Sequence, residues 1–436
     1  MSQFTPDPYV PGHGDTRYHV THYDLSLDYK VATNRLEGTA TLTVVPVQEL
    51  DELSLDLHGL HVSSVSVDGR RPQRSGQRGD CLTVRPVAPL PPDRPVTVVV
   101  RYSGKPRPVR GPHGTAGWEE LTDGVLVGSQ PYGAPSWFPC NDWAADKATY
   151  RVAVTVAAAY HVAGNGELVS RRRRGASTTW VYEQREPMAP YLASVQIGPA
   201  EVEHRAASVP VEIVHPRGLA VGPGTAFAEQ VAMLELYERL FGPYPFSTYR
   251  VGITDDPLEI PLEAQGFASF GRNHVVPRWD NERLVAHELS HQWFGNSLTA
   301  ESWEDIWLHE GFACYSEWLW SEHSGRGTAQ QQAAVHWQRL ARSPQDLLVG
   351  SPGSSDMFDD RVYKRGALTV HAIRALLGDR DFFEMLRTWT TRHRHGVVTT
   401  MMFAHHVQAF TREPVAPLLD RWLYTEALSP LPQLEA

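Results

Sequence analysis

The chain has 436 residues with 40 Lys+Arg against 50 Asp+Glu, a formal net charge of −10 at pH 7, which argues against nucleic acid as the main partner because phosphate binding needs a cationic face. At about 150 residues per domain the length predicts two or three domains, and 42% hydrophobic residues suffice for packed cores, which excludes a disordered chain. No window of about 20 apolar residues occurs, and the N-terminal stretch MSQFTPDPYV lacks both a basic and an apolar segment, so the expectation is a soluble, cytoplasmic protein with no membrane partner.

Cys81, Cys140 and Cys314 are too few and too scattered for a disulfide framework and read as free thiols of a reducing compartment. From Tyr23 to about Ile213 apolar and polar residues alternate, as in Tyr23, Leu25, Leu27, Tyr29, then Ala40, Leu42, Val44, and later Tyr150, Val152, Val154, Val156. A period of two predicts half-buried strands. Asp68-Gly69 and Asn165-Gly166 predict hairpin turns, since such dipeptides accept positive φ. The run Arg171 to Arg174, followed by Gly175, reads as a solvated hairpin end.

After Pro210 the period changes. Phe227, Val231, Leu234 and Phe241 share a helical face that stops at Gly242-Pro243, strand-like stretches follow at Val251–Thr254 and Phe267–Phe270, and helical patterns dominate from there, including Asp381–Thr391 and Met401–Thr411. The fold class is α+β and multidomain: an all-β domain over 1–207, then a mainly helical domain over 208–436, with the change of character between Ala206 and Gly224.

The stretch WDNERLVAHELSHQWFGN, Trp279 to Asn296, predicts one helix with Asp280 or Asn281 at its N-cap and Gly295-Asn296 as its stop. His287 and His291, four apart, project from one face and can grip one Zn²⁺. Glu288 is offset by roughly 100° around the axis, where a carboxylate serves as a general base without being a ligand, the arrangement of the HExxH motif. With 20 His in the chain, chance produces about 0.05 such matches, so a lone match is suggestive only.

A second helix, Ser302 to Ser324, corroborates it. Trp303, Ile306, Trp307, Glu310, Ala313 and Cys314 fall on its buried stripe, so Glu310 sits where an unpaired carboxylate is costly and would protonate, find a cation or bind a metal, for which the two imidazoles of the preceding helix provide the setting. Two His and one Glu with a fourth position open are a catalytic arrangement for zinc. Glu317, seven residues further on the same face, is either a hydrogen-bond acceptor for a ligand histidine or a rim carboxylate.

HELSHQWFGN followed by WLHEGFACYSEW is similar to the aminopeptidase N family of gluzincin zinc metallopeptidases, to which the leukotriene hydrolases also belong. Upstream, QPYGAPSWFPCND with Lys147-Ala148-Thr149-Tyr150 resembles the family's segment that runs from the β domain into the active site, and Gln130 takes the position of the Gln or Glu that helps hold the substrate's free α-amine. Downstream, VYKRGA resembles the family's Tyr-Glu-Lys-Gly segment, and Tyr363 matches its transition-state tyrosine. The resemblance spans nearly the whole chain. It implies a saddle-like N-terminal β domain, a thermolysin-like catalytic domain with a small sheet, one Zn²⁺ per chain on His287, His291 and Glu310, and peptide substrates with a free N-terminus.

Two departures stand out. The family's Gly-x-Met-Glu-Asn signature is here Ile260-Pro261-Leu262-Glu263-Ala264, which keeps Glu263 at the position of the amine-binding glutamate but changes the Gly and Asn positions. Only 73 residues follow Tyr363 (436 − 363), too few for the C-terminal helical cap of larger relatives, so the expectation is an open cleft. His309 stands where the family has Asn before the third ligand. The expected activity is hydrolysis of the first peptide bond, with Glu288 as general base, Tyr363 donating to the oxyanion, and Glu263 and Gln130 holding the α-ammonium. Rival readings are an epoxide hydrolase or an endopeptidase on the same scaffold, and a non-catalytic zinc-containing binding protein.

Overall fold

Alternating side chains in the first half make strands whose apolar members face one core, and the computed structural model, which describes residues 6–434, shows how they assemble. The first five residues of MSQFTPDPYV lie outside the described residues. The largest sheet has seven strands in the order Glu167–Arg174, Ser177–Met188, Ala148–Ala157, Tyr18–Lys30, Arg35–Pro46, Val96–Gly104, His61–Val67. Tyr18–Lys30 runs antiparallel to Arg35–Pro46, pairing Leu25 with Ala40, and parallel to Ala148–Ala157, pairing Leu25 with Val152. Tyr23, Leu25, Leu27 and Tyr29 are buried as the period of two requires. A bulge between Val20 and His22 resets the phase, so that Tyr18 and Val20 also face inward.

Asp68 and Gly69 do form a tight turn, both at positive φ, closed by reciprocal Val67 and Arg70 backbone bonds. Asn165-Gly166 does not. It links His161–Gly164 of a separate five-stranded sheet to Glu167–Arg174 of the large one. The Asn165 side chain donates to the Leu192 and Gln265 carbonyls and accepts from the Ser194 N–H, all buried. A dipeptide suited to positive φ thus serves here to satisfy buried backbone groups at a crossing between sheets. The Arg171–Arg174 run ends in a real hairpin, with Arg174 opposite Ser177 across Gly175 at φ 57°.

A mixed sheet of Glu201–Arg205, Val211–His215, Tyr249–Thr254, Phe267–Gly271 and Leu262–Ala264 packs Ala163, Val214, Ala264 and Phe267 into a small core. Leu262–Ala264 is its edge strand and places Glu263 opposite Ala268.

The helical part is built from α1 (Gln230–Phe241), α2 (Trp279–Ser290), α3 (Trp307–His323), α4 (Ala329–Leu340), α5 (Asp360–Arg392), α6 (Thr400–Gln408) and α7 (Ala416–Leu423). Gly378, at φ 72° and ψ 162°, breaks α5 into two helical stretches, of which the second holds the expected 381–391 segment. The chain divides into two compact units: residues up to His204 with Glu212–Leu219 and Phe246–Arg272 form one, and Arg205–Val211, Ala220–Pro245 and the chain from Asn273 form the other. Among the described residues no helix is long and apolar enough to cross a membrane.

Candidate active site

Helix α2 is shorter than its sequence pattern suggests. Arg278 rather than Asp280 or Asn281 is its N-cap, and regular helix ends at Ser290 with His291 as the C-cap, still in the right-handed region. The HQWFGN tail is a compact turn in which Asn296 N–H bonds the His291 carbonyl at 3.0 Å and Gly295 adopts φ 120°. Trp293 fastens this turn to the end of α1 through Nε1–H to the Gly242 carbonyl, 3.0 Å. His309 completes the frame, because its Nε2 accepts the Ala300 N–H at 2.8 Å. The histidine at position 309 therefore supplies a side-chain acceptor for a backbone N–H of the loop that follows the α2 turn.

The second predicted helix begins later than Ser302. A short 3₁₀ turn, Trp303–Asp305, comes first, capped by the Ser302 hydroxyl accepting from Glu304 N–H, and α3 starts at Trp307. Helices α3 and α5 meet through two glycines: a Cβ on Gly311 would lie 2.8 Å from the Gly366 backbone. That close approach brings Glu310 of α3 and Tyr363 of α5 into one region.

Within the helical unit the structure brings together His287, His291 and Glu310, all buried, whose donor atoms lie within 4.8 Å of one another. Glu310 Oε2 is 3.4 Å from Nε2 of each imidazole. The other ring nitrogens are committed elsewhere. His291 Nδ1 is 2.9 Å from the Phe294 carbonyl, which only accepts, so this nitrogen donates. His287 Nδ1 lies 2.8 Å from Glu317 Oε1, and Glu317 Oε2 takes the Arg283 guanidinium at 3.0 Å. Of the two alternatives for Glu317, the buried hydrogen-bond acceptor is the one realised. Both Nε2 lone pairs are thereby aimed at the space beside Glu310.

Electrostatics follow the same pattern. Burial opposes a charge on His287, but Glu310 and Glu317 hold its pKa up to about 9. Burial would raise Glu310, yet His291 and His287 draw it well below the ordinary carboxylate range. Glu317, likewise opposed by burial, is held down to about 2 by Lys364, His287 and Arg283. Two neutralisable imidazoles and a firmly ionised carboxylate, buried and convergent, are the nitrogen and oxygen donor set that Zn²⁺ takes, with one position open. Glu288 is buried next to His287 in the chain, and the Tyr363 ring lies 6.3 Å from the His287 ring at 16°.

The other two sequence-predicted residues meet in the first unit, where Gln130 Nε2 donates to Glu263 Oε1 at 2.7 Å. Sequence reasoning missed Arg283, whose position one turn before His287 was the available signal. It also missed the glycine contact and Arg365, whose buried guanidinium bonds the Leu347, Trp422, Thr425 and Glu426 carbonyls. No local signal announces those tertiary contacts.

Comparison with known proteins places the chain in a family. Residues 19–192 match the peptidase M1 N-terminal domain and residues 226–422 the peptidase family M1 domain. The crystal structure of the M1 zinc metallopeptidase from Deinococcus radiodurans superposes with a TM-score of 0.91 at 30% identity, covering 100% of both chains. A variant of that enzyme bound to a Tyr-Ser-Ala substrate matches equally, with a TM-score of 0.91 at 30% identity over 99% of this chain and 100% of that one. Probable aminopeptidase 2 of Sulfurisphaera tokodaii is 26% identical over 66% of this chain and 40% of its own length. The chain spans between 35% and 53% of the length of this and four other curated aminopeptidase relatives. The chain belongs to peptidase family M1, the zinc metallopeptidases, with Zn²⁺ as its cofactor.

Proposed function

We propose that this protein is an aminopeptidase that hydrolyses the N-terminal peptide bond of peptides, with His287, His291 and Glu310 holding the metal. The observation that carries the reading is the buried convergence of those three donors with Glu288 beside them. The tripeptide on the Deinococcus enzyme and the curated aminopeptidases support a peptide substrate. When bound there, zinc supplies a Lewis acid that polarises the scissile carbonyl and lowers the pKa of water.

The chain's own residues do the rest. Glu288 takes a proton from the attacking water and later passes it to the leaving nitrogen. Tyr363 donates a hydrogen bond to the oxyanion of the tetrahedral species, a contact of a kind typically worth about 3 kcal/mol of barrier. Glu317 fixes the His287 tautomer that leaves Nε2 for the metal. Glu263 and Gln130 bind the α-ammonium. Because the Gln130 amide donates to Glu263, its carbonyl oxygen is the end that remains to accept from an ammonium. An internal peptide segment offers no such charge, so this pair sets the register of cleavage. Free thiols at Cys81, Cys140 and Cys314 support a reducing, cytoplasmic setting.

The test is hydrolysis of aminoacyl-anilides with free and N-acetylated amines by metal-stripped protein, with and without added zinc. Zinc-dependent cleavage of the free-amine set alone is the expected result. Equal cleavage of the acetylated set would replace the exopeptidase with an endopeptidase.

A further inference from the structure

On the helical unit, α2, α3, α4 and α5 enclose a cavity of about 250 Å³, of whose lining residues the proposed mechanism uses Glu317 alone. Arg283, Glu317, His336, Arg339 and Lys364 line it, between the Trp279 and Trp318 rings, with Asp280 and Asp360 also on its wall. Its charges are sorted by depth. The Lys364 side chain is 13% exposed, whereas those of Asp360 and Asp280 are 81% and 84% exposed.

Lys364 Nζ lies 3.4 Å from Cys314 Sγ, a weak acceptor, and 3.8 Å from Asp360 Oδ1, beyond hydrogen-bond distance. An ammonium has three donors, so these contacts leave hydrogen-bonding capacity inside the cavity. The interior acid has both oxygens engaged, one facing His287 Nδ1 and the other accepting from Arg283, and the Lys364 charge nearby also holds its pKa down, so Lys364 meets Glu317 through charge while its N–H donors are not spent on it. Burial and the nearby Lys364 push the His336 pKa down to about 4, so its ring, stacked on Trp318 at 5.3 Å, is a neutral polar group at pH 7. Arg339 is exposed on α4. A buried cation with unused donors, a second cation and aromatic walls match a carboxylate joined to an apolar or peptide stem.

We propose that this cavity is a carboxylate-binding subsite in which Lys364 is the principal donor and Arg339 the second. The proposal deepens and rests on the aminopeptidase reading, since the carboxylate comes either from the far end of the peptide substrate or from a free acid that binds beside the Glu317–His287 pair.

Tri-alanine and its C-terminal amide separate these sources when hydrolysed by zinc-loaded wild type, Lys364→Met and Arg339→Ala. Alanyl-anilide serves as a substrate without a carboxylate, and acetate is titrated against tryptophan fluorescence. For the substrate source, wild type prefers the acid over the amide by about tenfold in KM, Lys364→Met abolishes the preference and Arg339→Ala reduces it, as expected for a charge-assisted contact. Anilide turnover of each variant gives the reference against which its acid-over-amide preference is read. For a free acid, the two tripeptides are cleaved alike, yet acetate alters the fluorescence saturably in wild type and not in Lys364→Met. Should Lys364→Met fail to fold, Arg339→Ala carries both comparisons. Equal cleavage without an acetate response overturns the proposal, as does a preference or response that neither substitution changes. Absence of anilide hydrolysis with an intact acetate response overturns the aminopeptidase reading and leaves the subsite standing.

Discussion

The metal-donor group and the Gln130–Glu263 pair are held in different ways. His287 and His291 are one turn apart, Glu310 sits on the next helix, and each imidazole is fixed by a further hydrogen bond to Glu317 or the Phe294 carbonyl. Gln130 and Glu263 are 133 residues apart, on a loop and an edge strand, and a hydrogen bond of 2.7 Å joins their side chains. Helix geometry preorganises the two imidazoles of the first group before packing adds Glu310, whereas the second exists only once the sheets have formed. The first should therefore show sharp, metal-centred losses on substitution, and the second graded losses confined to substrate binding.

Glu288→Gln breaks the first region hardest. Turnover should fall by about 10²–10⁴-fold with zinc content unchanged, read by steady-state kinetics beside metal analysis. Near-normal kcat would remove Glu288 as the base. Glu317→Gln should weaken zinc binding by about 10–100-fold in a chelator competition, because the His287 tautomer is no longer enforced by a charge; unchanged affinity would make Glu317 only a packing residue.

Glu263→Ala tests the second region. KM for free-amine substrates should rise about tenfold while zinc affinity stays put, and unaltered kinetics would take this residue out of the anchor. Gly311→Ala sharpens the contrast from the side of the scaffold, since a Cβ 2.8 Å from the Gly366 backbone should cost about 1–3 kcal/mol in denaturant unfolding. It should also lower turnover, because α3 and α5 carry Glu310 and Tyr363; a loss of stability with full activity would separate packing from the site.

The smallest effect concerns pH in the strand-rich unit. Burial would lower the His13 pKa, but the Asp142 carboxylate at 2.8 Å, with Asp56 and Asp80 nearby, raises it from 6.5 to about 9. A base whose folded pKa is raised stabilises in full below its unfolded value and loses that contribution as pH rises through the folded one. Wild-type Tm should thus fall between about pH 6.5 and 9 more steeply than that of His13→Gln. Parallel curves would show that the His13–Asp142 pair does not couple to folding.

Much was legible before folding. The strand period of Tyr23 to Tyr29 and the helix that stops at Gly242 reappear where the pattern put them, with Leu234 and Phe241 buried, whereas Phe227 precedes α1 and Val231 is half-buried. Boundaries were less legible. Trp279–Asn296 reads as one helix, but Asn296 N–H returns to the His291 carbonyl, so the tail closes into a turn that delivers His291. Asn165-Gly166 reads as a hairpin, but the buried carbonyls of Leu192 and Gln265 claim its side chain. The first miss is a local turn that ends the helix early, and the second is a case of distant backbone groups outbidding a local preference.

The sequence by itself determined the chemistry: two imidazoles one turn apart, a flanking glutamate, and a third donor on the buried stripe of a second helix. These follow from helical spacing, a short-range property that residue order fixes. Only the tertiary structure decided which ring nitrogens face Glu310, that Gln130 meets Glu263, that Gly311 and Gly366 let two helices touch, and that His309 accepts from the Ala300 N–H. Those contacts join residues from 3 to 133 positions apart, and their energies depend on burial and hydrogen-bond geometry that exist only after the chain has packed.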